Sequence, residues 1–281
     1  MRCELHGVSV RHLAAVADGV GALDNITLSI EQGEQIALIG PSGAGKTTLL
    51  HTLACAHEPS AGAVHVFGVD PWKLSHRARH TLRGKLFLAP QTPPMPPRQR
   101  VVTAVLAGCL PQWSLWQALV SLIKPRNARA AFDALARFNL QDKLYARVDR
   151  LSGGERQRCG MARLLVSQAQ LFLVDEPLSA LDPTLAIQTI TTLQQEAAAR
   201  TATLVCSLHQ VDLARACFPR LIGLRNGRVM FDAPRAAVTD AMIDSLYRDV
   251  RETPSLTLVQ GADTGADHSA AAVITAVPRC F

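Results

Sequence analysis

The sequence predicts an α/β fold with a mostly parallel, buried sheet, an N-terminal antiparallel β subdomain and an inserted helical subdomain. Three observations predict it. Short apolar runs at 35–40 (QIALIG), 171–175 (LFLVD) and 203–207 (TLVCS) each lead into a polar loop, as central parallel strands with both faces covered do. Stretches of helical periodicity alternate with them, the order that builds parallel sheets. The opening runs LHGVSV (5–10) and NITLSI (25–30) instead alternate apolar and polar residues, which suits antiparallel strands with one wet face.

The composition supports such a core. The 281 residues carry 29 Lys+Arg against 23 Asp+Glu, and 48% are hydrophobic, which excludes a disordered or fibrous chain. Cysteines at 3, 55, 109, 159, 206, 217 and 280 form no CxxC pair. That spacing suits neither a disulfide framework nor a zinc site, and implies reduced, mostly buried thiols in a cytosolic protein. The start, MRCELHGVSVRH, places Glu4 and His6 where an export signal needs an apolar run. The net charge of +6 is spread along the chain, so no nucleic-acid partner is expected.

After the strand at 35–40 comes the helix-like TLLHTLA (48–54). His76 and His80 in HRARH are interleaved with arginines and lack an HExxH arrangement, so this is a solvated basic helix and not a metal pair. A block of different character opens with the proline cluster QTPPMPP (91–97) and runs to Arg150. Its segment 101–123 has no formal charge and is long enough to span a bilayer. Pro111, Gln112, Ser114 and Gln117 in its middle argue instead for two short helices either side of Pro111. Trp113 and Trp116 then read first as packing of this block and second as part of a docking surface. ARAAFDALARF (128–138) has apolar residues at helical spacing. The helical subdomain is accordingly placed at about 92–160, within a domain spanning 1–253. The Gly-, Thr-, Asp- and Ala-rich remainder, 254–281, reads as a mobile tail.

The strongest chemical signal is GPSGAGKTT (40–48), which fits GxxxxGK[ST] between a strand and a helix and makes the core a P-loop NTPase. Gly40, Pro41, Ser42, Gly43, Ala44 and Gly45 would form the loop around the phosphates, all but Pro41 having a backbone N–H to turn toward them. Lys46 would reach the β- and γ-phosphates, Thr47 would coordinate Mg²⁺, and Thr48 continues the helix N-terminus. A P-loop needs a second metal ligand, and Asp175 at the end of LFLVD supplies it. Glu176 follows, placed to polarise an attacking water. LSGGERQR (151–158) offers the Ser152 hydroxyl, the small residues Gly153 and Gly154, then Glu155 and a helix N-terminus suited to an anion.

With LSGGE, the chain resembles the ATP-binding subunits of ABC transporters, whose signature is LSGGQ; the resemblance runs over roughly residues 4 to 250. It implies ATP and Mg²⁺ as cofactors and further roles in order. Gln91 in FLAPQ resembles the family's Q-loop glutamine, which senses Mg²⁺ and the γ-phosphate beside the transmembrane partner. Ser179–Ala180–Leu181–Asp182 resembles the D-loop, so Asp182 is carried over as a nucleotide-site residue. His209 in SLHQVD resembles the switch histidine, able to donate to the γ-phosphate from the same sheet edge as Glu176. The signature completes the site of a second copy, which implies a homodimer. The family's adenine-stacking aromatic is matched by His12.

The segment 207–234 with LHQVDLA, the segment 106–119 (LAGCLPQWSLWQAL) and MIDSLYRD (242–249) resemble the phosphonate import ATPases most closely. The resemblance implies two integral membrane permease subunits, a solute-binding protein acting indirectly, and a peripheral place on the cytoplasmic face of the inner membrane. Two alternatives share these site residues: an importer of another solute, and a soluble ABC-type ATPase acting on nucleic acid or ribosomes. The latter usually shows tandem cassettes, coiled-coil insertions or a basic arm, and none is visible.

His12 generates a prediction, because imidazole stacks on a base less well than a phenol ring and such stacking is worth about 1–3 kcal/mol. GTP hydrolysis is expected within about tenfold of ATP hydrolysis. Steady-state kinetics of His12→Tyr should then show a wider gap through tighter ATP binding. A strong ATP preference in both proteins would remove His12 from the base site.

Overall fold

The structure is a computed structural model that describes residues 2–11, 22–123 and 125–248. His12, Cys280 and the 254–281 segment lie outside the described residues. In chain order the strands are β1 (Cys3–Val10), β2 (Leu23–Ile30), β3 (Gln35–Ile39), β4 (Ala61–His65), β5 (Leu86–Ala89), β6 (Leu171–Asp175), β7 (Thr203–Ser207), β8 (Arg220–Arg225) and β9 (Arg228–Pro234). The helices are α1 (Lys46–Leu53), α2 (His76–Arg83), α3 (Val101–Leu106), α4 (Leu115–Ile123), α5 (Ala128–Ala136), α6 (Gly153–Leu165), α7 (Pro183–Ala199), α8 (Val211–Cys217) and α9 (Asp240–Tyr247).

The strands form two sheets. One is antiparallel, in the order β2-β1-β4, and the other has six strands in the order β5-β6-β7-β3-β8-β9. Within the second, only β9 runs antiparallel to its neighbour. The apolar runs of β3, β6 and β7 have a physical reason, since both faces of the large sheet are covered. Ala37, Ile39, Phe172, Val174, Leu204 and Cys206 point into one core with the helical block and α7. Ile36, Leu38, Leu171, Leu173 and Val205 point into another with α1 and the antiparallel sheet. On β1 of the antiparallel sheet burial alternates on either side of a register shift between Leu5 and Val8: Cys3, Leu5, Val8 and Val10 face the core while Glu4, His6 and Ser9 do not. This is the one-sided pattern that alternation predicts.

Between β5 and β6, α3, α5 and α6 pack into the first core through Val101, Val102, Val105, Ala131, Leu135, Cys159 and Met161. Pro111 lies in a 3-10 turn, Ala107–Gln112, which separates α3 from α4. Among the described residues no helix is long and apolar enough to cross a membrane. The two tryptophans part company. Trp113 packs against the core, but Trp116 is 74% exposed, alongside Leu115 and Leu119, so packing of the block does not account for it. His76 and His80 are exposed on α2. Six cysteines are free thiols, four of them buried; burial pushes Cys55 and Cys159 up to about 12.

The 3-10 turn is seated on α6 at Gly108, where an added Cβ would lie 2.1 Å from the Arg163 carbonyl oxygen and 2.9 Å from Val166 Cγ2. A backbone oxygen cannot swing aside as a side chain can. Gly108→Ala is therefore expected to destabilise the protein by about 1–3 kcal/mol, the usual cost of overpacking. A urea midpoint equal to that of the wild type would contradict this contact.

Candidate functional site

The site forms where the parallel strands end. Leu38 of β3 stands opposite Ser207 of β7, and Ser207 stands opposite Asp175 of β6. The loops after these strands therefore leave the sheet at one level, in the crevice where open α/β sheets take ligands. Beyond β3, the chain enters the glycine loop through Gly40, whose φ is +150° and whose missing side chain leaves room for the Leu224 carbonyl of β8. Backbone bonds from Ala44 N–H to Pro41 O (3.2 Å) and from Gly227 N–H to Ala44 O (3.1 Å) close the loop and brace it on the β8–β9 turn. Lys46, the first residue of α1, is buried and donates to the Gly40 and Pro41 carbonyls at 2.8 and 3.0 Å. Burial lowers its pKa, while Glu176 and Asp175 oppose that shift. The ammonium thus spans the mouth of its own loop, where phosphate oxygens would replace the two carbonyls.

Both carboxylates are held by neighbours from other elements. Thr47 Oγ1 donates to Asp175 Oδ2 at 2.9 Å. Ser207 Oγ donates to Asp175 Oδ1 at 2.6 Å and accepts from the Glu176 N–H at 3.0 Å. Glu176 takes φ of +46°, an uncommon conformation for a residue with a Cβ, and its Oε1 lies 2.5 Å from Nε2 of His209. The imidazole is half exposed and the carboxylate mostly buried. Thr47 and Asp175 present only oxygen, a hydroxyl and a carboxylate aimed at each other beside the phosphate loop. That donor set fits a hard cation such as Mg²⁺, which prefers oxygen ligands.

The remaining sequence candidates divide. Gln91 lies two residues beyond β5, exposed, and makes no hydrogen bond among the described residues. Ser152 and Glu155 form a capping box on α6: Ser152 Oγ accepts from the Glu155 N–H at 3.2 Å, and Glu155 Oε2 accepts from the Ser152 N–H at 2.8 Å. Ser152 and Gly153 face solvent and Gly154 is half-buried beside them. Asp182 caps α7 by accepting from the Leu185 N–H at 3.0 Å. The structure thus gathers the phosphate loop, Asp175, Glu176 and His209, and leaves the signature and Gln91 open to whatever approaches.

Two residues of the site were not singled out by sequence reasoning. Ser207 reads as the end of an apolar strand, and its signal is that it is the polar terminus of a run pairing with LFLVD. Gln157 lies inside LSGGERQR yet is buried, with Nε2 donating to the Glu176 carbonyl at 2.8 Å and to Ser179 Oγ at 3.2 Å, while its Oε1 accepts from the Ala180 N–H at 3.2 Å. It ties α6 to the turn after Glu176. A separate group of potential ligands, Glu4, His6 and His65, sits on the wet face of the antiparallel sheet. There the Arg2 guanidinium already holds Glu4 at 3.0 Å, so that carboxylate is neutralised by the chain itself.

Comparison with known proteins agrees with this geometry. Residues 23–179 match the family model described as ABC transporter. The chain is 56% identical to the Phosphonates import ATP-binding protein PhnC 2 of Albidiferax ferrireducens, over 95% of this chain and 97% of that one. It is 55% identical to the Phosphonates import ATP-binding protein PhnC of a Polaromonas species over the full length of both. Among solved structures, the dimeric ATP-binding cassette MJ0796 bound to ADP and Pi superposes with a TM-score of 0.70 at 24% identity, covering 83% of this chain and 98% of that one. Another, an ATP binding subunit of an ABC transporter, superposes with a TM-score of 0.71 at 21% identity over 90% and 100%. These two likenesses concern the fold.

The lowered pKa of Lys46 gives a pH dependence with a definite sign. In the free protein part of the Lys46 population loses its proton below the ordinary lysine value, whereas a bound polyphosphate favours the ammonium and raises that pKa again. Ligand binding in alkaline solution must then take up a proton, and affinity must fall as pH rises through the free-state value. Calorimetry in buffers of different ionisation enthalpy should show proton uptake that grows as the pH is raised toward the ordinary lysine range and is absent in Lys46→Arg. Equal uptake in wild type and Lys46→Arg would contradict it.

Proposed function

Because the chain belongs to the ABC transporter family, we propose that it is the ATP-hydrolysing subunit of an importer for phosphonate or a related phosphorus oxyanion. The observation that carries the chemistry is the convergence of Thr47, Asp175, Glu176 and His209 beside the phosphate loop. The solute rests on the relatives that are 55–56% identical over nearly the whole of both chains. Two copies would work together with integral membrane permease subunits at the cytoplasmic face of the inner membrane, supplied by a solute-binding protein.

In hydrolysis Lys46 and the backbone N–H groups of residues 42–48 hold the β- and γ-phosphates. Thr47 and Asp175 would hold Mg²⁺, which when bound neutralises charge on the β- and γ-oxygens. Glu176 takes a proton from water as the water's oxygen attacks the γ-phosphorus and the bond to the ADP oxygen breaks. His209, already in contact with Glu176 Oε1, steadies the base and can donate to the γ-phosphate. Ser152, Gly153, Gly154 and Glu155 are arranged by their own capping box, with Ser152 and Gly153 facing solvent, which supports a role at the nucleotide of the second copy. Gln91 beyond β5 and the exposed Leu115, Trp116 and Leu119 are offered as the permease-facing surface.

The test is the subunit reconstituted in vesicles with its permease pair and binding protein. ATP turnover should rise on addition of a phosphonate, and Glu176→Gln should retain nucleotide binding while losing roughly 10²- to 10⁴-fold in rate. Glu176→Gln turning over at the wild-type rate would sink the base assignment. Stimulation by another solute alone would move the substrate elsewhere.

A further inference from the structure

We propose that Ser207 is a positioning residue for ATP hydrolysis: its one hydroxyl holds the Asp175 carboxylate and the Glu176 backbone in register. The proposal rests on the ATPase reading above and assigns a role to a residue outside the P-loop, signature and switch motifs.

The hydroxyl has a single proton and lies fully buried at the end of β7. A backbone N–H can only donate, so the Glu176 N–H, 3.0 Å away, must point at a Ser207 lone pair. The Ser207 proton is then left for Asp175 Oδ1 at 2.6 Å. The direction of both bonds follows from donor inventory alone, and it presents Asp175 as an acceptor on that side.

Two consequences follow. Rotation about the carboxylate bond of an aspartate is soft and roughly two-fold, and the Asp175 side chain is held by Ser207 at one oxygen and by Thr47 at the other. Should Thr47 give its hydroxyl to a metal, Ser207 remains to keep Oδ2 facing the phosphate loop. Second, Glu176 holds its left-handed φ of +46° between two clamps: its N–H on Ser207 and its carbonyl on Gln157 Nε2 at 2.8 Å. An unfavoured conformation persists where its surroundings over-determine it, and here that conformation turns the carboxylate toward His209.

Ser207→Ala, Ser207→Cys and Ser207→Thr in the full chain separate this role from simple packing. Cysteine fills the space with a weak hydrogen-bonding group, and threonine restores the hydroxyl. Removing a partner of a metal-binding carboxylate usually costs 10- to 100-fold. Ala and Cys are expected to lose about that much in kcat at saturating ATP and Mg²⁺. By calorimetry they should keep wild-type ATP affinity in EDTA while losing most of the gain that Mg²⁺ confers, and Thr should recover kcat to within about threefold. The Cys variant carries the test if the alanine protein fails to fold. Wild-type kcat and Mg²⁺ dependence in Ala or Cys, or an impaired Thr variant that binds ATP normally in EDTA, would overturn the proposal. If Glu176→Gln abolishes turnover in the same assay, that result strikes Ser207 alone; wild-type turnover indifferent to Glu176→Gln would overturn the ATPase reading and this proposal with it.

Discussion

In-register pairing of three parallel strands is the constraint on which the site depends. With Leu38 opposite Ser207 and Ser207 opposite Asp175, the phosphate loop, the paired carboxylates and His209 all leave the sheet within one or two residues of a common level. A slip of one residue in β6 would turn Asp175 to the other face of the sheet and bring Val174, now packed in the core, to its place. Register is secured because β3, β6 and β7 bury both faces, each face in a different core. The geometry of the site is thus a consequence of where Phe172, Val174, Leu204 and Cys206 can be buried.

The same sheet separates two kinds of support. On one face α1 and the antiparallel sheet back the phosphate loop, so Lys46 is presented from a rigid base. On the other, α3, α5, α6 and α7 pack together, and the chain between β5 and β6 can carry α4 out to solvent without disturbing the strands. Gln157 connects this helical side to the chemistry, since it bonds the Glu176 carbonyl, Ser179 and Ala180 from within α6. Any shift of α6 reaches the turn after Glu176 through the three hydrogen bonds of Gln157.

Much of this was legible because the strong signals are local. The parallel strands show as apolar runs, the antiparallel pair as alternation, and GPSGAGKTT carries its own strand and helix context. The resemblance implied one sheet edge for Glu176 and His209, and the pairing of β6 with β7 provides it. Ser207 and Gln157 were not legible in the same way. A serine ending a strand and a glutamine inside a helix are ordinary in sequence, and their meaning lies in a carboxylate 32 residues away and a backbone carbonyl 19 residues away. Trp116 was misjudged for a related reason: helical spacing tells which residues share a face, but not whether that face meets the core, and here Leu115, Trp116 and Leu119 meet solvent.

The outward signature poses a physical question that its capping box answers. Glycines next to a free helix N-terminus cost conformational entropy to order, and a segment that had to fold on meeting a partner would lose affinity in proportion. The reciprocal bonds between Ser152 and Glu155 settle that cost within the subunit, because they fix the first turn of α6 before anything binds. Glutamate in the place of the family's usual glutamine serves the cap as well, since its carboxylate accepts from the Ser152 N–H and is held below its ordinary pKa chiefly by that bond. The segment presents a preformed edge of hydroxyl and backbone groups, joined through Gln157 to the Glu176 turn.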